Sequence, residues 1–275
     1  PAATPRRYQF KQPFGLPVRY HDIKVFSKVS NLDLVEIHLS YKDLEVNLDD
    51  VLPEHQGIGL VIHAPELFAG DHTLDLCTDD DSYREHSKHE LQRVIDISKD
   101  LRGRFQCKEP VLLVTNVGGF SEHRHLDKNE RVPLQKRLME SLSQLNTSGE
   151  VEIIPQTMPP FPWHFGGQRF HNLFVDAEFI RNFCDELNMR VCLDVSHSKL
   201  ACNHLHTSFR DFLDQILPFT AHLHLADAKD VDGEGLQIDD GEIDWVQLFL
   251  QIQQHCPKAS FIPEIWQGHK NGGEG

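Results

Sequence analysis

The chain has no CxxC pair among its six cysteines, Cys77, Cys107, Cys184, Cys192, Cys202 and Cys256. That spacing argues against a structural zinc–thiolate site and gives no disulfide framework, so reduced thiols in a cytoplasmic protein are the simple expectation. The opening residues do not read as a secretory leader. No apolar run approaches the roughly 20 residues a membrane helix needs. Basic charge is also scarce. The longest basic run is Arg6-Arg7, and 42 acidic residues against 27 basic ones give a formal net charge of −15. Nucleic-acid binders carry a basic patch or stripe, so neither nucleic acid nor membrane is an expected partner. A starting Met is absent as well. The first stretch, PAATPRRYQFKQPFGLP, is rich in Pro, Arg and Gln and reads as an arm over residues 1–15. It suggests a domain excised from a longer polypeptide, whose other domains are then candidate partners.

What remains supports one core. The 275 residues are 39% hydrophobic, enough for a single domain over 16–275, and (β/α) barrels of about 250 residues fold as one unit. Histidine is plentiful, at 18 residues. His86, His89, His123 and His125 lie in charged stretches and read as solvated, which leaves histidines at the ends of apolar strands as candidates.

Strand patterns recur through the chain: a short one near Leu16–Tyr20, then Asp33–Ser40, Gly57–Glu66, Pro110–Phe120, Val151–Gln156, Met189–His197, the HLHLAD run from His222, and Phe261–Trp266. Helical spacing fills the intervals at His21–Val29, Asp79–Arg104, Leu134–Leu145, Asp176–Asn188, Phe209–Leu217 and Val246–His255. Such alternation implies a parallel sheet with helical crossovers, and its continuation along the whole chain favours an α/β fold closed as a (β/α)8 TIM barrel. Only eleven residues follow Glu264. The last helix is therefore expected to be missing or replaced by the N-terminal segment.

Alternate strand residues point into a barrel. The inward set reads Glu36, His38, His63, Asn116, Glu152, Gln156, Asp194, His222, His224 and Glu264, with Val, Ile and Leu facing outward. Buried carboxylates and imidazoles without partners cost several kcal/mol each by typical estimates, and one divalent cation compensates many of them at once. Asp, Glu, His and an amide oxygen suit Mn, Mg, Zn or Co. Trp163, Trp266, Phe161 and Phe165 read as a hydrophobic rim, and Asp79–Asp81 as a solvated turn.

The series VIHAPE, VEIIPQ, CLDVSH, HLHLAD and PEIW resembles the xylose-isomerase-like TIM barrels, which include sugar isomerases and epimerases, hydroxypyruvate isomerase, inosose dehydratases and endonuclease IV. The resemblance runs from Asp33 to Trp266. Its most specific elements are the DxxH at Asp194–His197, the HxH strand, the GEG…GEID segment and Glu264. Within the superfamily the chain looks most similar to sugar phosphate isomerase/epimerase-like domains joined to sialic-acid-synthase-type proteins.

The resemblance implies one divalent metal held by Gln156, Asp194, His224 and Glu264. It also implies that His197 contacts a substrate oxygen and that His63 lines the pocket. The departure is Gln156, where the family more often has Glu; an amide cannot act as a general base. The implied chemistry is metal-dependent isomerisation or epimerisation of a sugar or sugar phosphate through an enediolate. Glu264 is the base, and His197 and Lys229 steady the developing oxygen charge. His63, His38, Asn116, His222, Trp163, Arg169 and Glu234 are the expected substrate-binding residues. A homo-oligomer is compatible with this reading. Two alternatives stand beside it: a non-catalytic sugar-binding or regulatory barrel, because of Gln156, and phosphodiester cleavage like that of endonuclease IV. The second is disfavoured by the acidic charge and by the lack of a DxH pair between Asp227 and Trp245.

Overall fold

The computed structural model describes residues 10–24, 31–52, 54–164 and 167–268, with backbone alone for 163, 164, 167 and 168. Eight parallel strands form the barrel: β1 Gly15–Val18, β2 Leu34–His38, β3 Gly59–His63, β4 Val111–Thr115, β5 Val151–Pro155, β6 Val191–Asp194, β7 Thr220–Leu225 and β8 Ser260–Pro263. Five pair in order from β1 to β5 and three from β6 to β8. Single parallel bridges, Gln156 to Cys192 and Phe14 to Phe261, join the two sheets at both seams and close the ring.

The helices between strands follow the sequence pattern. In α1, Asp81–Arg104, Leu91, Val94, Ile95 and Leu101 are buried on one face. The Asp80 side chain accepts from Tyr83 N at 3.0 Å and satisfies one of the first-turn N–H groups. The other described α-helices longer than one turn are α2 Lys128–Ser143, α3 Ala177–Leu187, α4 Val195–Leu205, α5 Phe209–Ile216 and α6 Trp245–His255, and a single turn, Leu48–Val51, lies between β2 and β3. None of the described helices is long and apolar enough to cross a membrane. The described cysteines are all free.

Three expectations about the strands change. The stretch Met189–His197 is not one strand: β6 stops at Asp194, whose carboxylate caps α4 by accepting His197 N at 2.8 Å. The inward apolar set is larger than expected. Leu34, Val61, Val114, Ile154, Cys192, Ala221 and Ile262 form a cluster separate from the main core, with Leu112 packed against it; all but Ala221 share the inward parity of their strands and fill the barrel beneath the polar layer, and Ala221 joins them at a register shift, where Val191 pairs with Thr220 but Cys192 with His222. Glu152 faces the opposite end from the polar strand ends and is held by Arg190 in a two-pronged pair at 2.6 and 2.7 Å.

The N-terminal segment closes the barrel in extended form. Residues 25–30 of the expected helix lie outside the described set; the described part is a 3-10 turn at Tyr20–Asp22 followed by helical residues 23 and 24. Phe10, Phe14 and Phe261 pack with ring centroids 5.1–5.3 Å apart at the β8–β1 seam. The Gln12 amide donates to the carbonyls of Cys256 and Ala259. Residues 10–14, read from sequence as arm, are therefore packed into the fold. His125, read as solvated, instead packs its ring 4.9 Å from those of Phe170 and His204.

Candidate metal centre

Apart from Glu152, the polar residues of the inward set gather toward the C-terminal ends of the strands, where barrels of this kind place their chemistry. β6 and β7 run in register with Asp194 opposite His224. Glu264 follows the end of β8, and its N–H donates to the Leu225 carbonyl at 2.9 Å. Thr157 ties the tops of β5 and β6 together: its hydroxyl accepts from Asp194 N at 2.9 Å. These main-chain ties bring one oxygen each of Asp194 and Glu264 and one ring nitrogen of His224 within 4.8 Å of one another. His224 Nδ1 lies 2.6 Å from Glu264 Oε2 and 3.7 Å from Asp194 Oδ2. The Gln156 amide nitrogen is 3.1 Å from Asp194 Oδ2 and 3.3 Å from His224 Nδ1. All four residues expected to hold a metal thus meet around His224.

Beneath them lies a residue that was read as inward but given no role. Glu36 is 0% exposed. Its Oε2 accepts from His222 Nε2 at 2.6 Å and from His224 Nε2 at 3.0 Å, and His38 Nε2 sits 2.8 Å from Oε1. A carboxylate without a cation would be costly there. Burial pushes its pKa up, but His224, His222 and His38 outweigh burial and hold it well below the carboxylate range. The bond to Glu36 has a consequence at the other side of the ring. It fixes a proton on His224 Nε2, so Nδ1 is the atom left to face Asp194 and Glu264. A carboxylate bound to the far nitrogen is the arrangement that orients a metal-ligating histidine.

The electrostatics favour positive charge at this point. Glu36, Asp194 and Glu264 surround one imidazole. Burial opposes a charge on His224, yet these carboxylates overcome it and raise its pKa well above the ordinary value. Burial likewise opposes ionisation of Glu264, and His224 reverses that and holds its carboxyl far below the usual range. Cys192 beside them is a neutral thiol, pushed up to about 12 by burial. The donor set of two carboxylate oxygens, an imidazole nitrogen and an amide fits a divalent cation of the Mn, Mg, Zn or Co kind.

The other candidates divide. His38, His63 and His224 cluster with near-parallel rings, their centroids 4.7, 5.8 and 6.4 Å apart. His197 Nδ1 lies 3.0 Å from the Thr157 carbonyl and Nε2 lies 3.0 Å from Glu234 Oε1. Burial disfavours its charge, but Asp194 and Glu234 prevail and raise its pKa to about 10. Glu234 reaches it from the Gly233–Leu236 strand, which pairs with Asp227–Lys229. Asn116 donates to Glu66 at 2.7 Å, and its own side-chain oxygen is buried without a hydrogen bond.

Three residues do not join the cluster. His222, expected to touch substrate, is fully buried, with its ring nitrogens engaged by Ser260 and Glu36, so it presents no face to a ligand. Lys229 is exposed and makes no hydrogen bond or ion pair with the cluster among the described residues. Arg169 lies over the Phe120 ring at 5.5 Å. The Trp163 side chain and Phe165 fall outside the described set, and Trp266 is 77% exposed. Glu36 was discernible as an inward residue two before His38; its depth and partners depend on the barrel's stagger, which alternation does not encode.

A closed eight-stranded barrel with its polar cluster at the strand ends defines an α/β-barrel protein. Residues 27–275 match the family model described as a xylose isomerase-like TIM barrel, and the chain belongs to that family. Among solved structures it is similar to a D-tagatose 3-epimerase-like protein, with 18% identity over 92% of this chain and 90% of that one and a TM-score of 0.66. It is also similar to 3-keto-D-glucoside 4-epimerase from E. coli, at 12% identity over 96% and 95% of the two chains and a TM-score of 0.65. For an L-ribulose 3-epimerase the identity is 13% over 93% and 82%, and the TM-score 0.63. At these identities the likeness establishes the fold. No curated protein matches the chain.

Proposed function

We propose that the chain is a sugar isomerase or epimerase, acting on a sugar or sugar phosphate, with a divalent cation held by Gln156, Asp194, His224 and Glu264. The observation that carries this reading is the convergence of Asp194, His224 and Glu264 at the open end of the barrel, with the Glu264 side chain 35% exposed. A divalent cation bound there supplies Lewis-acid polarisation of a carbonyl and its neighbouring hydroxyl. Glu264 takes the proton from the carbon beside the carbonyl and returns it to the former carbonyl carbon, while the neighbouring hydroxyl's proton passes to the former carbonyl oxygen. His197, held cationic by Asp194 and Glu234, donates a hydrogen bond toward the oxygen on which charge develops.

Gln156 decides between two outcomes. Inverting a carbon requires one base on each face of the sugar, and an amide cannot serve as the second. Moving a proton between adjacent carbons on one face requires one base only. Aldose–ketose isomerisation is therefore the finer reading. The test is incubation with Mn2+ and a panel of aldoses and ketoses, free and phosphorylated, in D2O, followed by NMR. One-base isomerisation gives the ketose or aldose partner, with deuterium at the carbon that gains the proton to the extent that Glu264 exchanges with solvent. Appearance of a C3 or C4 epimer instead overturns the one-base reading. Absence of any new sugar and of any deuterium uptake overturns the enzymatic one.

A second reading, a sugar-binding barrel without turnover, is favoured by the same residue. Sugar binding with no product in the parent, and product in Gln156→Glu, would establish it.

A further inference from the structure

Gln156 is the weak member of the candidate cation site. Its amide has a donor end and an acceptor end of nearly the same shape, and only the oxygen binds a cation. The NH2 group lies toward Asp194 Oδ2 at 3.1 Å and His224 Nδ1 at 3.3 Å, while Oε1 lies 3.1 Å from His63 Nε2.

His63 constrains that choice. Its Nδ1 is 2.8 Å from the Ala64 carbonyl oxygen, which can only accept, so Nδ1 carries a proton. A neutral imidazole has one N–H, and Nε2 then presents a lone pair. His63 is buried, and a divalent cation held by the adjacent Gln156 repels a second positive charge on its ring. Two acceptors, His63 Nε2 and Gln156 Oε1, therefore face each other. At the other end of the amide, the donor occupies the side where a cation would need an oxygen. A half-turn of the amide resolves both conflicts and needs no extra room, since the two ends are nearly isosteric.

We infer that His63 is a positioning residue: with a divalent cation in the site, it accepts a hydrogen bond from the Gln156 NH2 and so turns Gln156 Oε1 toward Asp194, His224 and Glu264. This rests on the cation site proposed above. It gives His63 a role other than contact with substrate, and it explains how a barrel with glutamine at this position keeps a four-residue donor set. A carboxylate at position 156 has oxygen at both ends and needs no such partner. The contribution of His63 is therefore specific to glutamine.

The test is a double-mutant cycle read as Mn2+ affinity by calorimetry, on the parent, His63→Phe, Gln156→Glu and the double variant, with thermal unfolding of each. His63→Phe is expected to weaken Mn2+ binding about 10–100-fold in the parent, the usual range for removing a partner of a metal ligand. It is expected to have less than about a threefold effect in the Gln156→Glu chain. His63→Gln, which restores an acceptor, is expected to recover most of the lost affinity. An equal loss in both backgrounds, or no loss in the parent, overturns the positioning role while leaving the cation site standing. Failure of the parent and of Gln156→Glu to bind Mn2+ overturns both.

Discussion

Glu36→Gln is the sharpest probe of the layer under the site. The carboxylate accepts from His222 at 2.6 Å and His224 at 3.0 Å through one oxygen and contacts His38 at 2.8 Å through the other, with no exposure to solvent. Hydrogen bonds to a charged group contribute about 1.5–3 kcal/mol each. Glutamine keeps the shape and one oxygen to accept from His222 and His224, with its NH2 toward His38, but it removes the buried negative charge that holds them. Loss of that charge costs about 3–5 kcal/mol, the range for breaking a buried ion pair. That is a large share of the roughly 5–15 kcal/mol that holds a typical domain. Urea unfolding at pH 7 is the assay, with Mn2+ titration beside it. The expected result is a midpoint shift equivalent to at least about 3 kcal/mol and a 10–100-fold weaker Mn2+ affinity, because the proton on His224 Nε2 is no longer fixed. A loss below about 1 kcal/mol with unchanged Mn2+ binding would refute the reasoning.

Two further outcomes follow from the loops. Asp227 is buried and accepts from Ala228 N, Ile243 N, Asp239 N and Trp245 Nε1 at 2.8–3.1 Å, anchoring the segment above β7. Asp227→Asn turns one acceptor into a donor against these N–H groups and is expected to cost about 2–4 kcal/mol by chemical denaturation. Burial pushes the Asp227 pKa up, but Trp245 and the backbone donors hold it below 3.8. Its stabilisation is therefore whole above about pH 4 and fades as pH falls through the lower folded value; the variant is expected to lose less stability than the parent over that window. Gly118 has φ +85°, and a Cβ there would lie 2.5 Å from Asp75 Cα. Gly118→Ala combines left-handed strain with a clash against backbone and is expected to lower stability by about 2–5 kcal/mol in thermal or urea unfolding.

The strands were legible because each face repeats at every second residue: Glu36 with His38, and His222 with His224, could be assigned inward from spacing alone. Height within the barrel could not. Alternation placed His222 and His224 together, yet one is sealed beneath the site and the other stands within it, because His224 lies two residues further along β7, level with Asp194 at the strand end. The helix Val195–Leu205 was missed because its polar and histidine-rich sequence shows little apolar periodicity; the Asp194 cap that starts it also belongs to the cluster, so one carboxylate served two purposes. The aromatic closure by Phe10, Phe14 and Phe261 joins residues about 250 positions apart, beyond what a local window registers. Lys229 was placed by its nearness to the HxH strand in sequence, and the hairpin that follows leaves it exposed.

Equilibrium dialysis against Mn2+ followed by elemental mass spectrometry, on the parent and on Asp194→Ala and Glu264→Ala, tests the central claim most directly. One Mn2+ per chain in the parent, lost in both variants while their unfolding remains cooperative, is the expected result. Absence of bound Mn2+ in the parent, or equal retention in both variants, would contradict a cation site at the strand ends.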